Sequence, residues 1–162
     1  MTAMLRTEKE IKYRGEMERL LKEAEIGRLG TCTDGEPYVV PLLFAYHDGK
    51  IVFHCAKRGK KLDNIAKNPR VCFEVDTGEV VPAEKPCAFS VQYRSVIAYG
   101  AARVCTDLAK VIEVLRLIVD KYAAKDLGSQ ITEETVLRYE NLTVVEITID
   151  EMTGKKSPIQ GS

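Results

Sequence analysis

Phe53-His54-Cys55-Ala56-Lys57-Arg58-Gly59-Lys60-Lys61-Leu62 carries an apolar, strand-like run straight into four basic residues gathered around one glycine. Leu62, Ile65 and Ala66 continue at helical spacing until Asn68-Pro69 stops them. A strand that ends at a helix start with cations beside it offers ammonium groups, free main-chain N–H groups and the positive end of a helix dipole to one anion. Cations in the first turn oppose that dipole at about 0.3–1 kcal/mol each, a conflict that a bound anion removes. Gly59 lets the backbone approach a ligand closely. The stretch reads as a phosphate site, and the competing reading is a solvated helix face. It is not a Walker A loop, because His54 stands where the first glycine belongs and Lys61 where the Ser or Thr belongs. A G-x-G-x-x-G fingerprint is absent from the chain.

Upstream, Ile26 to Cys32, Tyr38 to Tyr46 and Ile51 to Cys55 are strand-like, separated by Asp34-Gly35 and Asp48-Gly49, which predicts an antiparallel meander. Before them, Thr7 and Glu10 have capping-box spacing, and Met17, Leu20, Leu21 and Ala24 share one face, so the expected N-terminal helix covers about 7–24. Downstream, Val71 to Val75 is a fourth strand, and Asp76 to Pro86, with Gly78, Pro82 and Pro86, reads as a loop. Ala88 to Cys105 is long for one strand, and Gly100 suggests the bend or bulge that a closing barrel requires. Thr106 or Asp107 can cap a helix bearing Leu108, Val111, Ile112, Leu115, Ile118, Val119 and Tyr122, with a stop near Gly128. Thr132 can cap another reaching about Tyr139. Leu142 to Ile149 is the closing strand, and 153–162 reads as a polar, frayed tail. The expectation is one mainly β (α+β) domain over 1–162, a curved antiparallel barrel with peripheral helices.

With 162 residues, 45% hydrophobic, the chain can bury one self-sufficient core. The balance of 24 basic and 24 acidic residues excludes the global basic field of a nucleic-acid binder. No apolar run reaches the ~20 residues of a membrane span and no signal-peptide pattern opens the chain, so a cytoplasmic protein is expected. Cys32, Cys55, Cys72, Cys87 and Cys105 include no C-x-x-C pair and read as buried, reduced thiols, and no metal site is expected.

Pro41 interrupts the apolar run Tyr38-Val39-Val40-Pro41-Leu42-Leu43-Phe44, which places that strand at an edge or bulge. Such an edge either blocks aggregation or offers main-chain groups to a planar heterocycle or a second subunit. Of the two histidines, His47 falls in a turn and is expected at the surface. His54 points opposite to Phe53, toward a possible ligand cleft, and is the candidate catalytic side chain.

Gly27-Arg28-Leu29, Pro37 to Leu42, Phe53 to Ala56 with Gly59-Lys60-Lys61, Asn68 to Phe73, Tyr93-Arg94-Ser95-Val96 with Gly100, and Thr153-Gly154-Lys155 occur in that order. Together they resemble the FMN-binding split-barrel superfamily, the fold of pyridoxamine 5'-phosphate oxidase, nearest its nitroimidazole-resistance reductase branch. The resemblance spans roughly residues 5 to 158. It implies FMN at a homodimer interface, with the phosphate on Gly59, Lys60 and Lys61, and main-chain contacts to the isoalloxazine edge from Val40, Pro41 and Leu42. It also implies that His54, Cys55 and Ala56 border the ring or ribityl chain, with Tyr93 and Ser95 contributed from the long strand, including from the other subunit. The implied function is an FMN-dependent oxidoreductase that takes electrons from a small-molecule reductant and reduces a small acceptor, nitroaromatics among the candidates. The alternatives are a flavin carrier or sensor without turnover, or the same fold binding haem or a deazaflavin. Vitamin B6 oxidation is disfavoured, because an Arg-containing C-terminal segment is replaced by Thr-Gly-Lys-Lys-Ser-Pro.

Overall fold

Seven antiparallel strands form one sheet in the order β2-β1-β5-β6-β7-β4-β3. The structure is a computed structural model that describes residues 6–86, 88–123 and 126–158. The strands are β1 Ile26–Thr33, β2 Glu36–Leu43, β3 Ala45–His47, β4 Lys50–Ala56, β5 Arg70–Val81, β6 Ser90–Cys105 and β7 Leu142–Lys156. The helices are α1 Arg14–Glu23, α2 Lys60–Lys67, α3 Leu108–Tyr122 and α4 Glu133–Arg138. No helix among the described residues is long and apolar enough to cross a membrane.

The expected meander is only partly realised. β1 pairs with β2 and β3 with β4, but β2 and β3, which follow one another in the chain, lie at opposite edges of the sheet. The expected single strand from Tyr38 to Tyr46 therefore breaks at Phe44. The break has a local cause. Tyr122, in the last turn of α3, accepts the Phe44 N–H at 3.0 Å and shares its hydroxyl proton between the carbonyls of Glu25 (2.6 Å) and Phe44 (2.8 Å). The hydroxyl stands where a Glu25–Phe44 rung would have continued the β1–β2 ladder, and the chain crosses to β4 instead. Because the connection is so short, the sheet curls until its two edges approach. The result is a barrel split between β2 and β4, which confirms the expected fold class.

The inner face holds Leu29, Phe44, Ile51, Phe53, Phe73, Val75, Val96, Val145 and Ile147, with Met17, Leu20 and Leu21 of α1 packed on them. On the outer face, α3 lays Val111, Val114, Leu115 and Ile118 over Ala45, Val52, Cys105 and Val144. Asp107 caps α3 by accepting the Lys110 N–H at 2.9 Å, and Thr132 with Thr135 caps α4.

Four other expectations are corrected. The Thr7–Glu10 capping box does not form: Thr7–Lys9 is a 3₁₀ turn, Glu10 bridges to Lys155, and the Ile11 N–H donates to Gly154 at 2.9 Å. With those main-chain groups engaged on β7, the helix starts only at Arg14. The expected loop after Val75 is strand as far as Val81, because Asp76–Val81 pairs with Ser90–Ser95. The expected frayed tail is also strand to Lys156, paired with residues 94–97 of β6. Among the cysteines, Cys105 is buried, Cys55 and Cys72 half-buried and Cys32 exposed on the outer face of β1, while Cys87 lies outside the described residues.

Among the described residues Glu146 is the one buried charged side chain. Its side chain is fully buried, with Arg103 Nη2 at 2.8 Å, Lys50 Nζ at 3.1 Å and Lys110 Nζ at 3.4 Å, so that one carboxylate ties β4, β6 and α3 to β7. Burial pushes its pKa up, but the hydrogen bonds from Arg103 and Lys50 prevail and hold it below the ordinary value.

Two outcomes check this architecture. A Cβ at Gly100, beside the β6–β7 register shift, would overlap the Thr148 carbonyl. Gly100→Ala is therefore expected to cost about 3 kcal/mol in urea unfolding. For Glu146, a depressed native pKa gives stability that is present above the unfolded value and lost as pH falls through the native one. The acid limb of the stability profile below pH 4.5 should flatten in Glu146→Gln, which should also lose about 2 kcal/mol at neutral pH, because the buried position loses its charge-assisted hydrogen bonds to Arg103 and Lys50.

Candidate functional site

The split has two lips, and the register determines which main-chain groups face it. Thr33 and Glu36 close a two-residue hairpin through Asp34 and Gly35, both at positive φ, so they form a hydrogen-bonded pair and the pairs alternate from there. Pro37 and Pro41 both fall on non-hydrogen-bonded positions, where a missing N–H costs nothing to the ladder. The groups turned to the free edge are therefore the Pro41 carbonyl and the N–H and C=O of Val39 and Leu43. Val40 and Leu42 turn their main chain to β1 and pack their side chains against the barrel core. Their expected main-chain contact with a ligand edge thus passes to Val39, Pro41 and Leu43.

The other lip is the end of β4. β3 covers β4 only as far as Val52, which leaves Phe53–Ala56 without a strand on that side. The Lys57 N–H donates to the Asn141 carbonyl at 3.1 Å, which sets the β4–β7 alternation. His54 and Ala56 accordingly turn their main-chain groups away from β7 and toward the split. Carried past Phe44, the β3–β4 register sets Leu43 across from His54 and Pro41 across from Ala56. The two stretches singled out in the sequence, residues 40–42 and 54–56, are thus brought together as opposing lips.

The basic loop closes one end of this gap. Gly59 caps α2 with φ 143°, a conformation that a side chain resists, and its carbonyl accepts from Leu62 (2.9 Å) and Asp63 (3.1 Å). The N–H groups of Lys60 and Lys61 are left without a helical partner and no side chain caps them. Among the described residues, Lys57, Arg58, Lys60 and Lys61 make no ion pair. α2 is held in place from below: buried Asn64 donates to Thr31 Oγ1 at 2.9 Å, Asn68 donates to the Cys32 carbonyl at 2.9 Å, and Ile65 is buried. Burial pushes the Cys55 thiol up, and the nearby Lys61 ammonium pulls it back, so the cation lies close to the β4 lip.

His54 points opposite to Phe53, as expected, into a cleft of about 670 Å³ shared with Cys55, Ala56, Arg138, Tyr139, Glu140, Asn141 and Leu142. Sequence reasoning missed the wall formed by residues 138–142. The only signal was the turn between the α4 and β7 patterns, which does not say what it faces. Burial lowers the pKa of His54, so its imidazole is neutral near pH 7.

Tyr93 and Ser95 are not brought to this site within one chain. Cys105 of β6 and His54 of β4 align with the same β7 residue, Val144, whereas Ser95 aligns with Lys155. Ten residues of strand separate Ser95 from Cys105, roughly 33 Å along β6 at the usual rise. Tyr93 lines a different cleft, of about 470 Å³, with Gly78, Gln92, Lys156 and Ser157, where its N–H donates to Ser157 Oγ at 3.0 Å.

A barrel split along one seam, with main-chain donors and acceptors on both lips and a cationic helix start at one end, defines a split barrel. The chain belongs to the pyridoxamine 5'-phosphate oxidase family, whose profile matches residues 13–156. It is 33% identical over 102 residues to a 5a,11a-dehydrotetracycline/5a,11a-dehydrooxytetracycline reductase of Streptomyces rimosus, covering 60% of this chain and 62% of that protein. The chain spans about half to three-fifths of the length of the curated relatives it matches. Among solved structures, it is similar to a Bacteroides thetaiotaomicron protein described as a 5-nitroimidazole antibiotic resistance protein, with TM-score 0.76, 26% identity and coverage of 90% of this chain and 85% of that one. It shares its fold with a FAD and haem binding protein of Mycobacterium smegmatis, with TM-score 0.80, 20% identity and coverage of 94% and 74%.

With only two histidines in the chain, proton NMR can follow His54 directly. Its ring resonances are expected to titrate below the ordinary value of 6.5, and His54→Gln identifies them by their disappearance.

Proposed function

We propose that this chain is an FMN-dependent oxidoreductase. In this reading the flavin ring lies in the split and its phosphate on Gly59, Lys60 and Lys61. Bound flavin supplies the redox chemistry, taking electrons from a small-molecule reductant and passing them to a small aromatic acceptor. The observation that carries the reading is the end of the split itself: unpaired cations surround a helix start with free N–H groups, beside two lips of free strand edge. That donor set fits a phosphate dianion and a planar heterocycle with polar edges.

The residues divide the work by position. Lys60 and Lys61 neutralise the phosphate with their ammonium groups while their N–H groups orient it, and Lys57 and Arg58 form an outer rim. Pro41, Leu43 and Val39 from one lip, with His54 and Ala56 from the other, hydrogen-bond the ring edge. The neutral His54 imidazole, on the cleft side of β4, can donate or accept one hydrogen bond to an acceptor molecule. The relatives that act on dehydrotetracyclines or are described as conferring nitroimidazole resistance support a planar, electron-poor acceptor, nitroaromatics among them. The protein works as a homodimer, with Tyr93 and Ser95 supplied to the site by the second copy. Its setting is the cytoplasm, where thiols such as the exposed Cys32 stay reduced.

The test is a pair of ligands that differ only at the phosphate. Wild-type protein is expected to bind FMN and show flavin absorption bands. The double variant Lys60→Ala/Lys61→Ala should lose at least ~100-fold in FMN affinity, the scale of two charge-assisted hydrogen bonds, with riboflavin affinity unchanged. Equal FMN affinity in variant and wild type would remove the phosphate assignment. A wild type that binds FMN but never reduces an acceptor anaerobically would leave a carrier.

A further inference from the structure

The crossing between the two lips is bonded from outside the split. The last turn of α3 places two consecutive polar side chains on the one stretch of chain that joins the lips. Tyr122 holds the main chain of Phe44 on both its N–H and C=O sides while also bonding Glu25. Lys121 donates to the Ala24 carbonyl at 2.6 Å and lies 3.9 Å from the centroid of the Phe44 ring. That ring is buried and packs edge-on against Phe73 of β5, 4.8 Å between centroids. Phe44 is therefore gripped by main chain and ring at once, one residue from Leu43, the last residue of the β2 lip. The grip reaches the β4 lip as well, because Ala45, the next residue, pairs with Val52 at the point where β4 becomes free.

We propose that Lys121 and Tyr122 form a positioning pair for the cofactor: without touching it, they set the separation of the β2 and β4 lips and so the affinity of the split for a flavin ring. This rests on the reading of the split as the flavin seat. The physical reason is the absence of any ladder between β2 and β4. Neither lip can be located by pairing with the other, so their spacing is inherited from the crossing at Phe44. No hydrogen bond from β1 takes over that task, since the Tyr122 hydroxyl occupies the position of the missing Glu25–Phe44 rung.

The pair makes a signature different from that of the phosphate clamp. In Tyr122→Phe the ring stays and the hydroxyl bonds go, so the lips lose their fixed spacing while the basic loop is untouched. FMN and riboflavin affinity should fall together, at least ~10-fold each, and the visible circular dichroism of bound flavin should change. In the ligand-free protein, amide exchange across residues 43–46 should accelerate at least ~10-fold more than exchange in β5 and β6. Met152→Ala serves as the control, because Met152 of β7 packs against the inner core across from Ala98 of β6 and makes none of the Phe44 bonds. It should lower stability while leaving both the 43–46 exchange ratio and riboflavin affinity as in wild type. Should Tyr122→Phe not fold, Lys121→Met, which keeps the hydroxyl, is expected to show the same paired loss at roughly 3-fold. Uniform acceleration of exchange, or riboflavin affinity unchanged in the folded variant, would overturn the proposal. A wild type that binds no flavin would remove the functional reading instead, and the exchange ratio would still decide whether the pair locates the lips.

Discussion

A single segment, Glu36–His47, supplies both edges of a seven-stranded sheet, and the connection between those edges is one residue long. That constraint shapes the rest of the molecule. A sheet whose outermost strands are covalent neighbours cannot lie open, so it curls around Phe44, Phe53 and Phe73 and presents its convex side to α3. It cannot close fully either, because the strands on either side of the join are already committed: β2 hydrogen-bonds β1, and β3 hydrogen-bonds β4, which pairs with β7 along its whole length. The split is what remains when a continuous chain has to serve two edges. Edge strands with free main-chain groups invite pairing with other chains, and here two prolines interrupt the donor row of β2 and limit that hazard.

A site made mostly of main-chain groups has a particular tolerance. Side chains along β2 can vary as long as the inward positions fill the core and the register keeps the prolines off the ladder. This agrees with the preservation of the fold in solved structures only 20% and 26% identical to this chain. Under the proposed function, the side chains that matter for chemistry are then few. At one end of the split are the lysines around Gly59, and on the outer side of β4 are His54 and the wall at 138–142.

Much of the fold was legible because its signals are local. The Asp-Gly turns, the glycine bulge at Gly100, the Asp107 and Thr132 caps and the strand-to-helix passage at Gly59 all act over a few residues and are found where the pattern puts them. The misreadings share the opposite character. Asp76–Val81 and the stretch to Lys156 have weak strand patterns and become strand only because β6, sixteen residues long, gives both a partner. Thr7 and Glu10 have the spacing of a capping box, but β7 captures the main chain at Glu10 and Ile11 first.

By itself, the sequence determined the alternation of strands and helices, the edge character of the Pro41 strand and the concentration of cation at a helix start, since each depends on neighbours within a turn or a strand length. Only the tertiary structure decided that Pro41 and His54 lie on opposite lips of one gap, and that Val39 and Leu43, not Val40 and Leu42, face it. It also decided that Tyr93 and Ser95 lie a strand's length away. The physical reason is that strand pairing is long-range. Which main-chain groups are free depends on the register between segments far apart in the chain, and in this barrel the crossing between the two lips is bonded by a tyrosine hydroxyl 78 residues from the phenylalanine it holds.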